Sequence, residues 1–194
     1  VYKFLKAATS DDFTGILRLQ KANLATNLSQ IEKATQGFLF VTHTDAQLRE
    51  FNEVAPHIVV HYKSEIVGYV LSMPKIFRQA IPVLIPLFEM LDTIRYNEKN
   101  LNQHHYLMIG QVAIDKNHRG KKLFQQAYQF FRQQYQPNYA FALTEIATNN
   151  YRSLHVHQKL GFEIIHTYTD PQGLEWAIVI WDWSKSTPEV GEMD

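Results

Sequence analysis

Apolar and polar positions alternate at the start of the chain: YKFLKAA, Tyr2 to Ala8, reads as a short strand. The following TSDDF supplies a helix cap with acidic residues in the first turn, and the spacing of Phe13, Ile16, Leu17 and Leu19 predicts the helix itself. DAQLREFNE, Asp45 to Glu53, predicts a second helix, closed off by Pro56. HIVVHYKSEIVGYVLSM predicts two strands, His57 to Tyr62 and Glu65 to Met73, joined as a hairpin by Lys63 and Ser64. Between Pro74 and Gln103 the periodicity is lost. Pro74, Pro82 and Pro86 punctuate an Ile-, Leu- and Phe-rich stretch, which reads as a loop without a strand of its own around a short helix, Leu84 to Leu91. Residues 74–103 are expected to form an insertion covering something apolar, either the edge of the core or a substrate.

HYLMIGQVAID, His105 to Asp115, is the strongest strand signal in the chain. The helix expected after it, Lys121 to Gln134, places Leu123, Phe124, Ala127, Tyr128, Phe130 and Phe131 mainly on one broad face. YAFALTEIA predicts a further strand, TNNYRSLHVHQKLGF a helix ending at Gly161, and EIIHTYT and LEWAIVIWDW the last two strands. Strand, helix, strand, helix from Tyr106 onward argues for parallel pairing within an α/β sheet. Trp176 to Trp183 reads as a packed strand that also offers a dimer face, so a monomer or a homodimer is expected. A single domain is expected over residues 1–184, with a polar tail at 185–194.

Composition narrows the function. With 45% hydrophobic residues in 194, the chain can bury one sizeable core. Nineteen basic residues balance nineteen acidic ones, so no long-range field draws the protein to nucleic acid or an anionic membrane. There is no cysteine, which excludes disulfides and thiolate chemistry and accords with a cytoplasmic location. No apolar run approaches the ~20 residues of a membrane span. Nine histidines invite a metal site, but His155 and His157 stand about 200° apart on a helix and no carboxylate stands at ligand spacing. No metal is expected.

The candidate chemistry sits in VAIDKNHRGKKLF, where a strand runs through a basic turn into a helix. Such a turn presents unpaired N–H groups and partial positive charge to an anion, phosphate above all; with nothing bound it is a solvated surface. About thirty residues on, NNYRSLHVHQKLGF brings a second helix from the adjacent strand. The two segments together resemble the GNAT superfamily of acyl-CoA N-acyltransferases. The resemblance rests on the basic turn at Arg119, on Asn150 and on the pair Gly161-Phe162, and it covers Tyr106 to Phe162. Two positions depart from the family pattern. Lys122 stands at the phosphate motif's first glycine, where ordinary helical φ is expected, and Phe124 at its last glycine or alanine.

The resemblance implies a GNAT-like α/β (α+β) fold: a mixed, mostly antiparallel central sheet with splayed parallel strands in the middle and helices on both faces. It implies acetyl-CoA as acyl donor and an amine as acceptor. Arg119, Gly120, Lys121, Lys122, Leu123 and Phe124 would hold the pyrophosphate, with Phe124 directed into the core or along the pantetheine. Val112, Ala113 and Ile114 would pair with the pantetheine amides, and Val112 N–H would face the developing oxyanion. Asn150 and Ser153 complete the expected cofactor set. His157 occupies the place of a tyrosine that protonates the leaving thiolate; it reads as that acid or as a core-edge histidine. Glu145, at the end of its strand, is the candidate general base or else a surface carboxylate. The expected function is transfer of an acetyl or short acyl group to a primary amine of a small molecule or peptide. The alternative is a CoA-binding module of the same fold without turnover.

Overall fold

The computed structural model describes residues 1–32 and 38–185. The alternating start forms β1 (Tyr2–Lys6), and α1 (Ser10–Asn23) follows behind a reciprocal cap. Thr9 Oγ1 accepts from Asp12 N at 3.2 Å and Asp12 Oδ2 accepts from Thr9 N at 2.9 Å, which satisfies two otherwise orphan donors. Thr44 and Gln47 repeat the device at α2 (Asp45–Val54). The hairpin is β2 (Ile58–Tyr62) and β3 (Glu65–Pro74), turning on Lys63 at φ 55°.

The insertion holds α3 (Ile85–Leu91) and two strands of two residues, β4 (Arg95–Tyr96) and β5 (Lys99–Asn100). These strands correct the expectation of a strandless segment. Asn97 and Glu98 both take positive φ, as a two-residue hairpin turn requires, but strands this short leave no alternation to read. Leu87, Phe88 and Leu91 are buried against Met73, Met108, Leu143 and Ile178, so the insertion covers an apolar sheet face. Burial of each such side chain contributes roughly 1.5–3 kcal/mol. The chain continues through β6 (Tyr106–Ile114), α4 (Leu123–Tyr135), β7 (Phe141–Ala147), α5 (Tyr151–Lys159), β8 (Glu163–Thr169) and β9 (Glu175–Asp182).

Seven strands form one sheet in the order β1-β2-β3-β6-β7-β9-β8, antiparallel throughout except for β6 with β7. α1, α2 and α3 pack on one face, α4 and α5 on the other. The dimer face expected of Trp176 to Trp183 is corrected: β9 lies inside the sheet, paired on both sides, and Trp181 and Trp183 are buried. Among the described residues the free edges are β1 and β8. Of the expected tail, Lys185 pairs with Glu163 at 2.7 Å, and the rest lies outside the described residues. Among the described residues no helix is long and apolar enough to cross a membrane.

One irregularity in β6 positions the site. Leu71 opposes Gln111 while Ser72 opposes Ile109, so Gly110 is an extra residue in the strand. The bulge turns two successive positions to the α1 side: Gln111 bonds Gln20 of α1, and a Cβ on Gly110 would stand 3.6 Å from Met73 Cβ.

Candidate active site

β6 and β7 pair only at Tyr106 with Phe141, Leu107 with Ala142 and Met108 with Leu143, and beyond these residues they part. Asp115 N donates to Val67 O at 2.8 Å, and counting back along the antiparallel ladder turns the backbones of Ala113 and Gln111 toward β3. Val112 and Ile114 therefore face the gap. Ile114 O accepts from Arg119 Nε at 3.1 Å, while Val112 has no ladder partner on β7. The expectation that Ala113 shares in pairing across the gap is corrected, because its backbone is committed to β3.

A cleft of about 340 Å³ occupies the splay. Residues 38–43 cross over it and form one wall. Leu39 N donates to Asn23 O at 2.9 Å, Gln111 Nε2 donates to Val41 O, and Asn150 Nδ2 donates to Phe38 O at 3.2 Å. Phe40 packs on Trp176 with ring centroids 4.9 Å apart, so this strap is fastened to both sides of the gap. It has no periodicity and is held by side chains remote in sequence, which is why no sequence signal announces it.

The basic turn closes one end of the cleft. Gly120 has φ 75°, and Lys122 sits left-handed at φ 57°, ψ 15°. The expectation of ordinary helical φ at Lys122 is corrected. Arg119 is tied back to Ile114 O, so few residues remain in which to reverse the chain into α4, and Lys122 takes the glycine-like conformation at a cost of about 1 kcal/mol. α4 has no side-chain cap, whereas side chains cap α1, α2 and α5, so its first N–H groups are available to an anion.

Arg119 Nη2 also donates to Asn23 Oδ1 at 2.9 Å. Its guanidinium pKa is held down by burial and by the neighbouring positive charge of Arg152, an exposed residue that lines the same cleft. Two guanidinium groups therefore stand close together at an uncapped helix start, an arrangement suited to an anion. Sequence reasoning missed Arg152, because only packing of α5 beside α4 brings it there. Gly120, Lys122, Leu123 and Phe124 line the cleft as well. Lys121 does not: its ammonium turns away to Tyr2 OH, 3.1 Å distant. Leu123 is buried in the core, and the Phe124 ring packs against Tyr128 and His157.

Asn150 caps α5 by accepting from Ser153 N at 3.4 Å, and Ser153 lines the cleft. His157 is fully buried. Its Nδ1–H donates to Ser153 O at 2.7 Å and its Nε2 accepts from Tyr128 OH at 2.7 Å. Burial lowers its pKa to about 4 against the opposing Ser153 hydrogen bond, so the ring is neutral at pH 7 with both nitrogens engaged. It fastens α5 to α4. The expectation that it protonates a thiolate is corrected on that ground.

Glu145 is placed differently. The alternation of β7 turns its side chain to the face of Leu143, under α3, where it is half-buried at the cleft. Burial raises its pKa to about 7, the hydrogen bond from Tyr168 OH at 2.6 Å lowers it, and Asp170 raises it further. A carboxylate with that pKa exchanges protons near neutrality. Tyr168 left no signal in the sequence, since β8 reaches β7 only across β9. Among the described residues no group of three His, Asp or Glu is placed to hold a metal ion.

The sequence profile described as the acetyltransferase (GNAT) family matches residues 26–162. A search of curated proteins gives no match. Among solved structures, the ribosomal-protein-S18-alanine N-acetyltransferase from Escherichia coli superposes with TM-score 0.62 at 9% identity, covering 97% of this chain and 98% of that one. A putative acetyltransferase from Salmonella typhimurium, solved with its cofactor acetyl-CoA, gives 0.59 at 13% identity over 93% of both chains. An Arabidopsis thaliana protein in complex with a CoA–peptide bisubstrate analogue gives 0.59 at 13%, covering 94% of this chain and 99% of that one.

Proposed function

Because this chain belongs to the GNAT acetyltransferase family, we propose that it transfers an acetyl or short acyl group from acetyl-CoA to a primary amine of a small molecule or peptide. The observation that carries the reading is Glu145, a half-buried carboxylate with its pKa raised to about 7 at the cleft where β6 and β7 part. The anion site at the start of α4, with Arg119, Lys122 and Arg152, receives the pyrophosphate. Val112 and Ile114 offer backbone groups to the pantetheine amides as a neighbouring strand would. Val112 N–H serves either an amide of that arm or the acyl carbonyl. Asn150 and Ser153 border the arm from α5.

The acceptor enters from the α3 side. There the cleft is lined by Met73, Leu84, Leu87 and Met108, and Glu145 is the carboxylate on it. This lining, to which Leu84 and Leu87 of the 74–103 insertion contribute, favours an apolar acceptor whose charge is confined to its amine. The amine nitrogen attacks the thioester carbon and Glu145 takes its proton. The C–S bond then breaks and the proton passes to the leaving thiolate, leaving an amide and free CoA. With its pKa raised to about 7, the base takes up and releases a proton near neutrality, which suits it to both transfers.

Calorimetric titration with acetyl-CoA and CoA, followed by thiol-release assays over a panel of apolar and peptide amines, tests the reading. Saturable binding with thiol release that requires an amine is expected. Binding without release across the panel would point to the turnover-free module, and no binding at millimolar ligand would remove the acyl-CoA reading altogether.

A further inference from the structure

His43, one of the residues lining the cleft, carries an unmet donor. The residue is 6% exposed, and its Nε2 is buried without a hydrogen-bond partner. Its neighbours settle which nitrogen bears the hydrogen. His43 N–H donates to Gln20 Oε1 at 2.8 Å, which orients the Gln20 amide. Gln20 Nε2 then donates twice, to His43 Nδ1 and to Gln111 Oε1, each at 2.9 Å. Gln111 is held in turn, its Oε1 also accepting from Tyr69 OH at 3.2 Å and its Nε2 donating to Val41 O. Nδ1 is an acceptor, so the hydrogen of the neutral ring sits on Nε2. Burial keeps the ring neutral, with a pKa lowered to about 4.

That N–H lies beside Gly110, 3.9 Å from where a Cβ on Gly110 would stand. Glycine leaves the space next to it empty, and both residues line the cleft. Gly110 is also the bulge residue, two positions past Met108, the last residue of β6 paired with β7. A buried donor left unpaired carries a desolvation penalty, and here three side chains hold it in place.

We propose that His43 Nε2–H donates a hydrogen bond to the acyl carbonyl oxygen of the bound thioester, which makes it a catalytic residue. The inference rests on the acyl-CoA reading of the cleft. A pantetheine arm is about as long as five extended residues. Laid along β6 from the turn that follows Ile114, it passes Val112 and brings its thioester to Gly110. Val112 N–H then meets an amide of the arm, and His43 meets the carbonyl. When the amine attacks, the carbonyl π pair moves onto oxygen and the Nε2–H bond to that oxygen shortens. No proton leaves the ring, because its next proton loss lies far above neutrality. Glu145 takes the amine proton, the C–S bond breaks as the carbonyl re-forms, and the proton passes from Glu145 to the departing thiolate.

The test compares acetyl-CoA with free CoA on the wild type and on His43→Phe, by calorimetry and by the carbonyl resonance of [1-13C]acetyl-CoA. Free CoA lacks the oxygen in question. The variant is expected to lose about five- to tenfold in acetyl-CoA affinity and nothing in CoA affinity. In the wild type the bound carbonyl carbon should move downfield of free acetyl-CoA, and in the variant it should not. Equal effects on both ligands, or none, would overturn the assignment. If His43→Phe fails to fold and binds neither ligand, the wild-type resonance decides, and an unshifted or upfield carbonyl sinks the proposal. A wild type that binds neither ligand overturns the acyl-CoA reading itself, and this inference with it.

Discussion

Glu145 shows how one side chain acquires its chemistry from its surroundings. Its pKa is raised from 4.5 to about 7, chiefly by burial. In the unfolded chain it ionises near its ordinary value, so between pH 4.5 and 7 the folded state binds the proton more tightly. Its contribution to stability is therefore present at low pH and falls as pH rises through that window. Glu145→Gln should make the protein more stable above pH 7, by an amount on the order of 1–2 kcal/mol. The same variant should slow acyl transfer about 10²-fold and abolish the rate limb near pH 7. Urea midpoints at pH 8 and pH–rate profiles check both. An unchanged pH profile would remove Glu145 as the base. His157 makes the opposite case: its position allowed an acid or a core-edge histidine, and the bonds to Tyr128 and Ser153 show the second, a buried neutral fastening.

The turn from β6 into α4 depends on several residues acting together. Arg119 both faces the cleft and holds the turn to Ile114 O and Asn23, whereas Arg152 is exposed and comes from the neighbouring helix. Arg152→Ala should weaken CoA binding about tenfold, roughly 1.4 kcal/mol, with the melting temperature unchanged. Arg119→Ala should lower both affinity and melting temperature. Calorimetry paired with thermal unfolding separates the two. If Arg152→Ala binds CoA like the wild type, the anion does not lie between the helices. The turn was legible in the sequence because Gly120 and three cations between a strand and a helix are local features. The backbone at Lys122 was not, because its left-handed φ follows from how tightly Arg119 draws the loop closed.

The molecule as a whole buries three histidines in the neutral form. Burial lowers His43, His57 and His157 to about 4 each. His57 Nε2–H donates to Leu48 O at 2.9 Å, and its Nδ1 accepts from Ser72 N at 3.1 Å, so it ties α2 to β3. Their unfolded pKa is near 6.5, so from pH 6.5 down to about 4 the unfolded chain binds more protons and stability is lost as pH falls. Three such groups, opposed by Glu145, give a slope that is small at pH 7 and steepens to roughly 2–3 kcal/mol per pH unit near pH 5. Urea titrations between pH 7 and 5 measure it, and a flat profile would show that these rings are accessible. The order of elements outside the 74–103 insertion, the hairpin and the basic turn were all readable beforehand. Periodicity, turn residues and caps act over a few neighbouring residues, and a linear chain displays them. The length of β6–β7 pairing, the strap over the gap, the pKa of Glu145 and the tautomer of His43 were not readable. Each arises from desolvation or from hydrogen bonds between distant residues, such as Gln20 with His43 and Gln111, 23 and 91 positions away. Such partners meet only when the sheet has formed and water has been excluded from between its layers.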